Sequence, residues 1–314
     1  MNFPILRCGL VGALGLSLAL VNPLRGTTKI GVLLKGQSAF WSAVEQGCVD
    51  AGKKLGVDVI VKMPVSESDI TAQIQQLDGL VAEGIQALVI APCSTTALSG
   101  PVAAAAAKGV KIVVIDTAID GDMPVFIATN HTDAGAAAGR LLASVVSGTD
   151  EVSFLKHSKT SGATTLREVS AFGELRLAHP NLVINRDIFS GTEAGHEIEK
   201  AQQLLTQHPN TKAILASGTT GSMAMLTAIE ESKRTGTIKF VGFGFNLNST
   251  VAAALDSGAM LGWIAQLPNE IGGKGVTAAV ALLHGQPVQE VTFCDFLVIT
   301  KANLHDSRVQ ALLP

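Results

Sequence analysis

KIGVLLKGQSAFWSAVEQG, residues 29–47, sets an apolar run against an abrupt break. Ile30 to Leu34 reads as a buried strand, and Lys35 places a charge at its carboxyl end. Gly36, Gln37 and Ser38 end the run. Phe40 and Trp41 then open a segment in which Phe40, Val44, Cys48, Ala51 and Leu55 recur at helical spacing. Strand, polar turn and amphipathic helix in that order make half of a strand–helix–strand unit.

The chain repeats the unit. Runs rich in Val, Ile and Leu follow at 57–62, 86–91 and 111–115, and Ile70, Ile74, Leu77 and Val81 give the next helical stripe. The connector TTALSGPVAAAAAKG carries Pro101 near its start, where the first turn of a helix tolerates it. Gly56, Gly84 and Gly109 each precede a strand, the place of a helix C-terminal glycine. The second half repeats the scheme with EVSFLKH, LVINRDIF, TKAILAS and TIKFVGF, separated by helical stretches around 164–178, 193–207 and 221–235. Continuous apolar strands alternating with helices predict parallel sheets covered on both faces. The fold class is therefore α/β, with two doubly wound parallel-sheet lobes, several short crossings and a cleft between them.

Ligands of open parallel sheets bind beyond the carboxyl ends of the strands. That rule selects Lys35, Gln37, Ser38, Phe40 and Trp41 after the first strand, Pro92 and Ser94 after the third, and Asp116 and Thr117 after KIVVI. In the second half it selects Thr192 with Glu193, Thr219 with Thr220, and Asn246. Helix capping accounts for Ser38, Ser94 and Thr192. It accounts poorly for Lys35, Asp116 and Trp41.

With 314 residues, 47% hydrophobic and 16% charged, the chain can fill two ordinary cores. A net charge of −3 and a pI near 6.2 leave no electrostatic footprint for nucleic acid. Residues 1–26 carry Arg7 and an apolar run from Cys8 to about Val21, the length of a signal-peptide core and short for a membrane span. Export to the periplasm is expected. Cys48, Cys93 and Cys294 form neither a C-x-x-C pair nor a spacing with histidines, so free buried thiols are expected, with no metal site.

Enzyme signatures fail one by one. The lysine precedes its glycine in LKGQS, IGGKGV lacks a strand leading into it, and neither G-x-G-x-x-G after the first strand nor G-x-S-x-G occurs. No nucleophile, base and orienting group assemble, so a binder needing no cofactor is expected. His179 and His208 precede Pro-Asn turns and read as helix-end residues. His131 differs: it lies in IATNHTDAG, between an apolar strand and a small-residue helix, and is kept as a cleft candidate.

Taken together, KIGVLL with FW, QIQQLDGLVAEGIQALVIAP, KIVVIDTAI, IATNHTDAGAAAGRLL, FVGFGFN and IAQLPNEIGGKGV resemble the type I periplasmic substrate-binding proteins. Within them, the chain is similar to the ribose-binding cluster that serves ABC sugar importers, from Lys29 to about Ala302. The resemblance implies a periplasmic-binding-protein-like I fold with a three-crossing hinge near Ala128–Asn130, Ile264–Leu267 and Leu297–Thr300. It divides the chain into a signal peptide (1–26), an N-terminal lobe (27–129 plus 267–299) and a C-terminal lobe (130–266 plus 300–314).

It also implies site roles. Phe40 and Trp41 match paired aromatics that sandwich a sugar ring. Asp116 matches an aspartate that accepts bonds from sugar hydroxyls, and Asn246 takes the place of a second such aspartate through a two-residue slip. Gln266 matches a hinge glutamine, and Thr219 or Thr220 stands near a family asparagine. A second-lobe arginine is expected near 166–168, where Arg167 is one position off and Glu168 is in register; which faces the cleft is open. Thr117 stands where ribose binders carry arginine. Lys35 departs from the pattern and, with Asp116, resembles autoinducer-2-binding members. The implied ligand is a sugar, a sugar alcohol or a furanose derivative, taken up by a monomer that delivers it to an inner-membrane ABC permease. Two alternatives are a sensory protein presenting ligand to a receptor, and a LacI-type effector domain without its DNA-binding part.

Overall fold

A computed structural model describes residues 27–312, apart from Pro124 and Ala194. The expected signal peptide, residues 1–26, lies outside the described residues.

The first part of the chain gives β1 (Lys29–Leu33), α1 (Ala39–Leu55), β2 (Asp58–Lys62), α2 (Ile70–Ala82), β3 (Ala87–Ile90), α3 (Ser99–Ala107), β4 (Lys111–Ile115) and β5 (Phe126–Thr129). The second gives α4 (His131–Ala143), β6 (Glu151–Lys156), α5 (Gly162–Ala178), β7 (Val183–Phe189), α6 (His196–Gln207), β8 (Thr211–Ala216), α7 (Thr219–Glu231), β9 (Lys239–Gly244), α8 (Ser249–Ser257) and β10 (Gly262–Gln266). The chain then returns through α9 (Pro268–Leu283) and β11 (Val291–Cys294), and ends with β12 (Phe296–Ile299) and α10 (Ser307–Gln310).

Two six-stranded sheets result, ordered β11-β5-β4-β3-β1-β2 and β12-β10-β9-β8-β6-β7. Pairing is parallel throughout the first; in the second, β12 runs antiparallel to β10. The continuous apolar runs have a physical cause: successive residues of one strand serve opposite cores. Ile30, Val32 and Leu34 pack on one face of the first sheet, and Leu33 joins the cluster on the other. The second sheet is likewise covered on both faces. Gly56, Gly84 and Gly109 all take positive φ at the helix ends that their sequence places predict.

The chain passes between lobes three times. β5 ends in the first sheet, and α4 packs on α5 in the second lobe. β10 ends in the second sheet, and α9 packs on α1, β3 and β4 of the first. The third crossing falls at Asp295, between β11 in the first sheet and β12 in the second. The expectation of a crossing at Leu297–Thr300, with 267–299 in the first lobe, is therefore corrected. Trp263 to Gln266 register against Ile299 to Phe296, which places these four residues in the second lobe.

Cys48, Cys93 and Cys294 are buried free thiols. Burial pushes them up to about 12, 12 and 11, leaving them inert at neutral pH.

Candidate functional site

The carboxyl ends of β1 and β4 face those of β6, β8 and β10 across a cavity of about 140 Å³. Lys35 follows β1 directly and is 2% exposed. Its Nζ donates to Asp116 Oδ2 at 2.7 Å and to Thr117 Oγ1 at 2.5 Å, while the Thr117 hydroxyl donates to Asp116 Oδ2 at 2.9 Å. Thr117 thus serves as a relay behind Lys35 instead of lining the cavity, and the lysine reaches the carboxylate from a different strand.

Asp116 takes φ +62°, a left-handed conformation that costs a residue with a Cβ about 1–2 kcal/mol. Its surroundings hold it there. Asp116 N donates to Ile127 O at 2.9 Å, Thr117 N donates to Ile115 O at 2.7 Å, and Asp116 O lies 3.1 Å from His131 Nε2. Burial opposes ionisation, but the Lys35 charge and the His131 contact outweigh it and hold the carboxyl well below its usual range. Strain fixed in this way is characteristic of residues kept for binding.

Ser38 caps α1 by accepting from Trp41 N at 3.4 Å, and it also lines the cavity. Trp41 Nε1 donates to Glu67 Oε1 at 2.7 Å, and Lys35 Nζ lies 5.4 Å from the indole centroid. Phe40 meets Trp41 edge-on, with centroids 5.0 Å apart and planes at 89°. A ligand ring held between two aromatics needs roughly 7 Å, twice a 3.5 Å carbon contact. The expectation that this pair sandwiches a sugar is corrected: the rings form one corner of the cleft.

On the second lobe, Gly135 of α4 lets α5 approach closely, because a Cβ there would overlap the Arg167 carbonyl oxygen. This seats Arg167, 4% exposed, in the cleft wall. Its guanidinium donates to Ser217 O at 2.9 Å, to Gln266 Oε1 at 2.6 Å and to His131 Nδ1 at 3.3 Å, and lies 4.9 Å from the Phe243 ring centroid. Burial lowers Arg167 to about 10, against the attraction of Asp116, Glu168 and Glu67, so it stays charged at neutral pH. Glu168 turns away. It accepts from Ser217 Oγ at 2.7 Å and sits 3.5 Å from Lys156 Nζ, and burial pushes its carboxyl up. Arg167 is the cleft residue, so the cleft holds Lys35 and an arginine together.

Contacts bridge the lobes around the cavity. Phe40 meets the Phe245 ring edge-on at 5.7 Å, Ser66 Oγ lies 3.4 Å from Thr192 Oγ1, and His157 Nε2 lies 3.5 Å from Glu67 Oε2. Burial favours the neutral acid at Glu67, but His157, Lys35 and the Trp41 N–H bring it down to about 2.

Of the residues selected from sequence, Lys35, Gln37, Ser38, Phe40, Trp41, Asp116, Arg167, Thr192, Thr219, Thr220 and Gln266 line the cavity. Thr192 is not a helix cap, since α6 begins at His196 behind Gly195. His131 lies behind Asp116 and Arg167 and, like Thr117, does not line it. Asn246 is a correction: it lines a separate depression beside the hinge, with Pro268 and Leu312, and its carbonyl accepts from Trp263 Nε1 at 3.0 Å. The position two residues earlier, Gly244, cannot carry a side chain, because a Cβ would overlap the Trp263 indole. Sequence reasoning missed Glu67, His157, Ser161, Thr164 and Glu197, which all line the cavity. Glu67 and His157 follow β2 and β6, so the carboxyl-end rule applied to those two strands finds both.

The family model of the periplasmic binding protein domain matches residues 30–287. The chain belongs to the periplasmic binding protein family. Among its relatives in this family, the ribose import binding protein of Bacillus subtilis (strain 168) is 26% identical over 252 residues, 80% of each chain. The D-allose-binding periplasmic protein of Escherichia coli (strain K12) is 26% identical over 260 residues, 79% of this chain and 82% of that one. A carbohydrate transporter solute binding protein from Agrobacterium radiobacter, solved in complex with D-arabinose, superposes with a TM-score of 0.86 at 27% identity, covering 92% of this chain and 100% of that one. An ABC transporter solute binding protein from Agrobacterium vitis, bound to alpha-D-tagatopyranose, gives 0.83 at 25% identity, covering 91% and 99%. The two-lobed architecture is that of these periplasmic binding proteins, and the relatives are binding and transport proteins.

Proposed function

We propose that this protein captures a small polyhydroxylated ligand, a sugar or sugar alcohol, by closure of its two lobes and delivers it to an ABC permease. The observation that carries the reading is the convergence, from opposite lobes, of Lys35–Asp116 and Arg167–Gln266 on one cavity with an aromatic corner at Phe40. A sugar presents hydroxyls in its ring plane and C–H groups on its faces. Fixed donors and acceptors meet the first, and an aromatic edge and face meet the second. Because the cavity walls come from both lobes, bound ligand stabilises the closed form over the open one. Closure also aligns one surface from each lobe, which a permease can read. The relatives named for ribose and allose, and the structure solved with D-arabinose, support this ligand class, and the apolar leader supports export to the periplasm. The protein acts as a monomer and performs no chemistry on its ligand.

A thermal-shift screen of pentoses, hexoses and polyols, followed by calorimetry on hits, tests the reading. The expected result is one-to-one binding of at least one of D-ribose, D-allose and D-arabinose, reduced at least about tenfold by Asp116→Ala. Unchanged affinity in that variant places the site elsewhere.

A further inference from the structure

His131 opens α4 directly after the first crossing and is 3% exposed. Its two ring nitrogens serve opposite lobes. Nδ1 lies 3.3 Å from Arg167 Nε and 3.2 Å from Arg167 Nη2, while Nε2 lies 3.1 Å from Asp116 O and 3.7 Å from Asp116 Oδ1. A guanidinium has five N–H donors and no acceptor. Nδ1 must therefore keep its lone pair, and Nε2 carries the proton that it donates to the Asp116 carbonyl.

Asp116 ends a strand of the first lobe, whereas α4 and Arg167 belong to the second. The bond to Asp116 thus spans the lobes. It ends on the carbonyl of the residue whose backbone is held at positive φ. We propose that His131, as the neutral Nε2–H imidazole, is a positioning residue that sets Asp116 and Arg167 in register with each other as the lobes close. The inference rests on reading the cleft as a sugar site, and His131 touches those two groups instead of the ligand.

A pH dependence follows. Protonating Nδ1 removes the acceptor that Arg167 uses and sets a cation against its guanidinium. The charged groups facing the ring are Arg167 from α5 and Asp116 from the end of β4, with Lys35 behind Asp116; Gln266 and Ser217 also bind Arg167 but do not titrate. Burial and the Arg167 charge lower the His131 pKa, against the pull of Asp116. The imidazole is therefore neutral in the closed form, and protonating it below its ordinary pKa of about 6.5 drives the Arg167 guanidinium off Nδ1, so acid weakens ligand binding. His157, the other cleft imidazole, faces Glu67 across the lobes at 3.5 Å and does not touch His131.

Calorimetry with D-ribose, D-allose and D-arabinose from pH 7.5 to 5.0 tests the proposal on wild type, His131→Gln and His131→Phe. Gln retains one acceptor and one donor and cannot be protonated; Phe keeps the volume without either. Wild type should lose affinity on acidification, His131→Gln should bind near wild-type strength at pH 7.5 with a flat profile, and His131→Phe should bind about tenfold more weakly. An acid limb that persists in His131→Gln, or a Phe variant binding like wild type, overturns the proposal. If the Phe variant does not fold, the Gln profile decides alone. If none of the three sugars binds wild type, the reading of the cleft fails first and this inference with it.

Discussion

Lys35→Met probes the buried ion pair on which the first-lobe wall depends. The substitution removes an ammonium 2.7 Å from Asp116 and leaves a carboxylate that is 5% exposed with no cation in contact. Breaking one partner of a buried pair costs about 3–5 kcal/mol, chiefly through the charge left behind. Lys35, Asp116 and Thr117 all belong to the first lobe, so opening the cleft wets the pair without separating it. The lower figure, about 3 kcal/mol, therefore applies to the ligand-free protein. At 2–4 °C per kcal/mol for a chain of this class, Tm should fall by roughly 6–12 °C at pH 7. The pH dependence has a definite sign. In wild type the carboxyl is held below its unfolded value, so its contribution is present above about pH 3.9 and fades as the pH falls. Without Lys35, burial dominates and raises it, so the variant's deficit should shrink between pH 7 and 5. Asp116→Asn suits the left-handed backbone, and the double variant Lys35→Met/Asp116→Asn should recover to within about 2 °C of wild type. Thermal melts followed by circular dichroism give all four corners of the cycle. A single Lys35→Met variant that melts with wild type, or strictly additive effects, would refute the reasoning.

Three further outcomes follow from the same geometry. Of the two tryptophans, Trp41 lines the cleft and Trp263 is fully buried against Gly244, so ligand-induced fluorescence change should survive Trp263→Phe and vanish in Trp41→Phe. Gly244→Ala overpacks the indole and should cost about 1–3 kcal/mol in urea unfolding, with part recovered by adding Trp263→Leu. Glu67, at about 2, contributes stability that is present above pH 4.5 and is lost as the pH falls toward 2. Glu67→Gln should therefore destabilise the sugar-bound protein by at most about 3 kcal/mol at neutral pH, with the difference from wild type closing over that window in urea midpoints.

The fold was legible because each strand feeds two cores: Leu33 and Leu34 face opposite sides, and no polar residue interrupts the run. Lys35, Asp116 and Gln266 were legible for a related reason, since polar groups at strand ends have nothing local to explain them. β12 was not, because four residues, FLVI, carry no mark of which sheet they pair with; that depends on register against β10. Asn246 was misplaced because the obstruction at Gly244 comes from Trp263, nineteen positions away in sequence. Glu67 sits in VSESD, where a solvated loop and a cleft wall look alike. The linkage of Asp116 to Arg167 through His131 joins three segments that are distant in sequence and come from both lobes.

Closure around the ligand is most directly tested by small-angle scattering on the protein titrated with whichever sugar calorimetry shows to bind. Phe40–Phe245, Ser66–Thr192 and Glu67–His157 span the lobes and belong to the closed form, so saturating sugar should lower the radius of gyration and narrow the distance distribution. Saturation by calorimetry with an unchanged scattering curve would contradict capture by lobe closure.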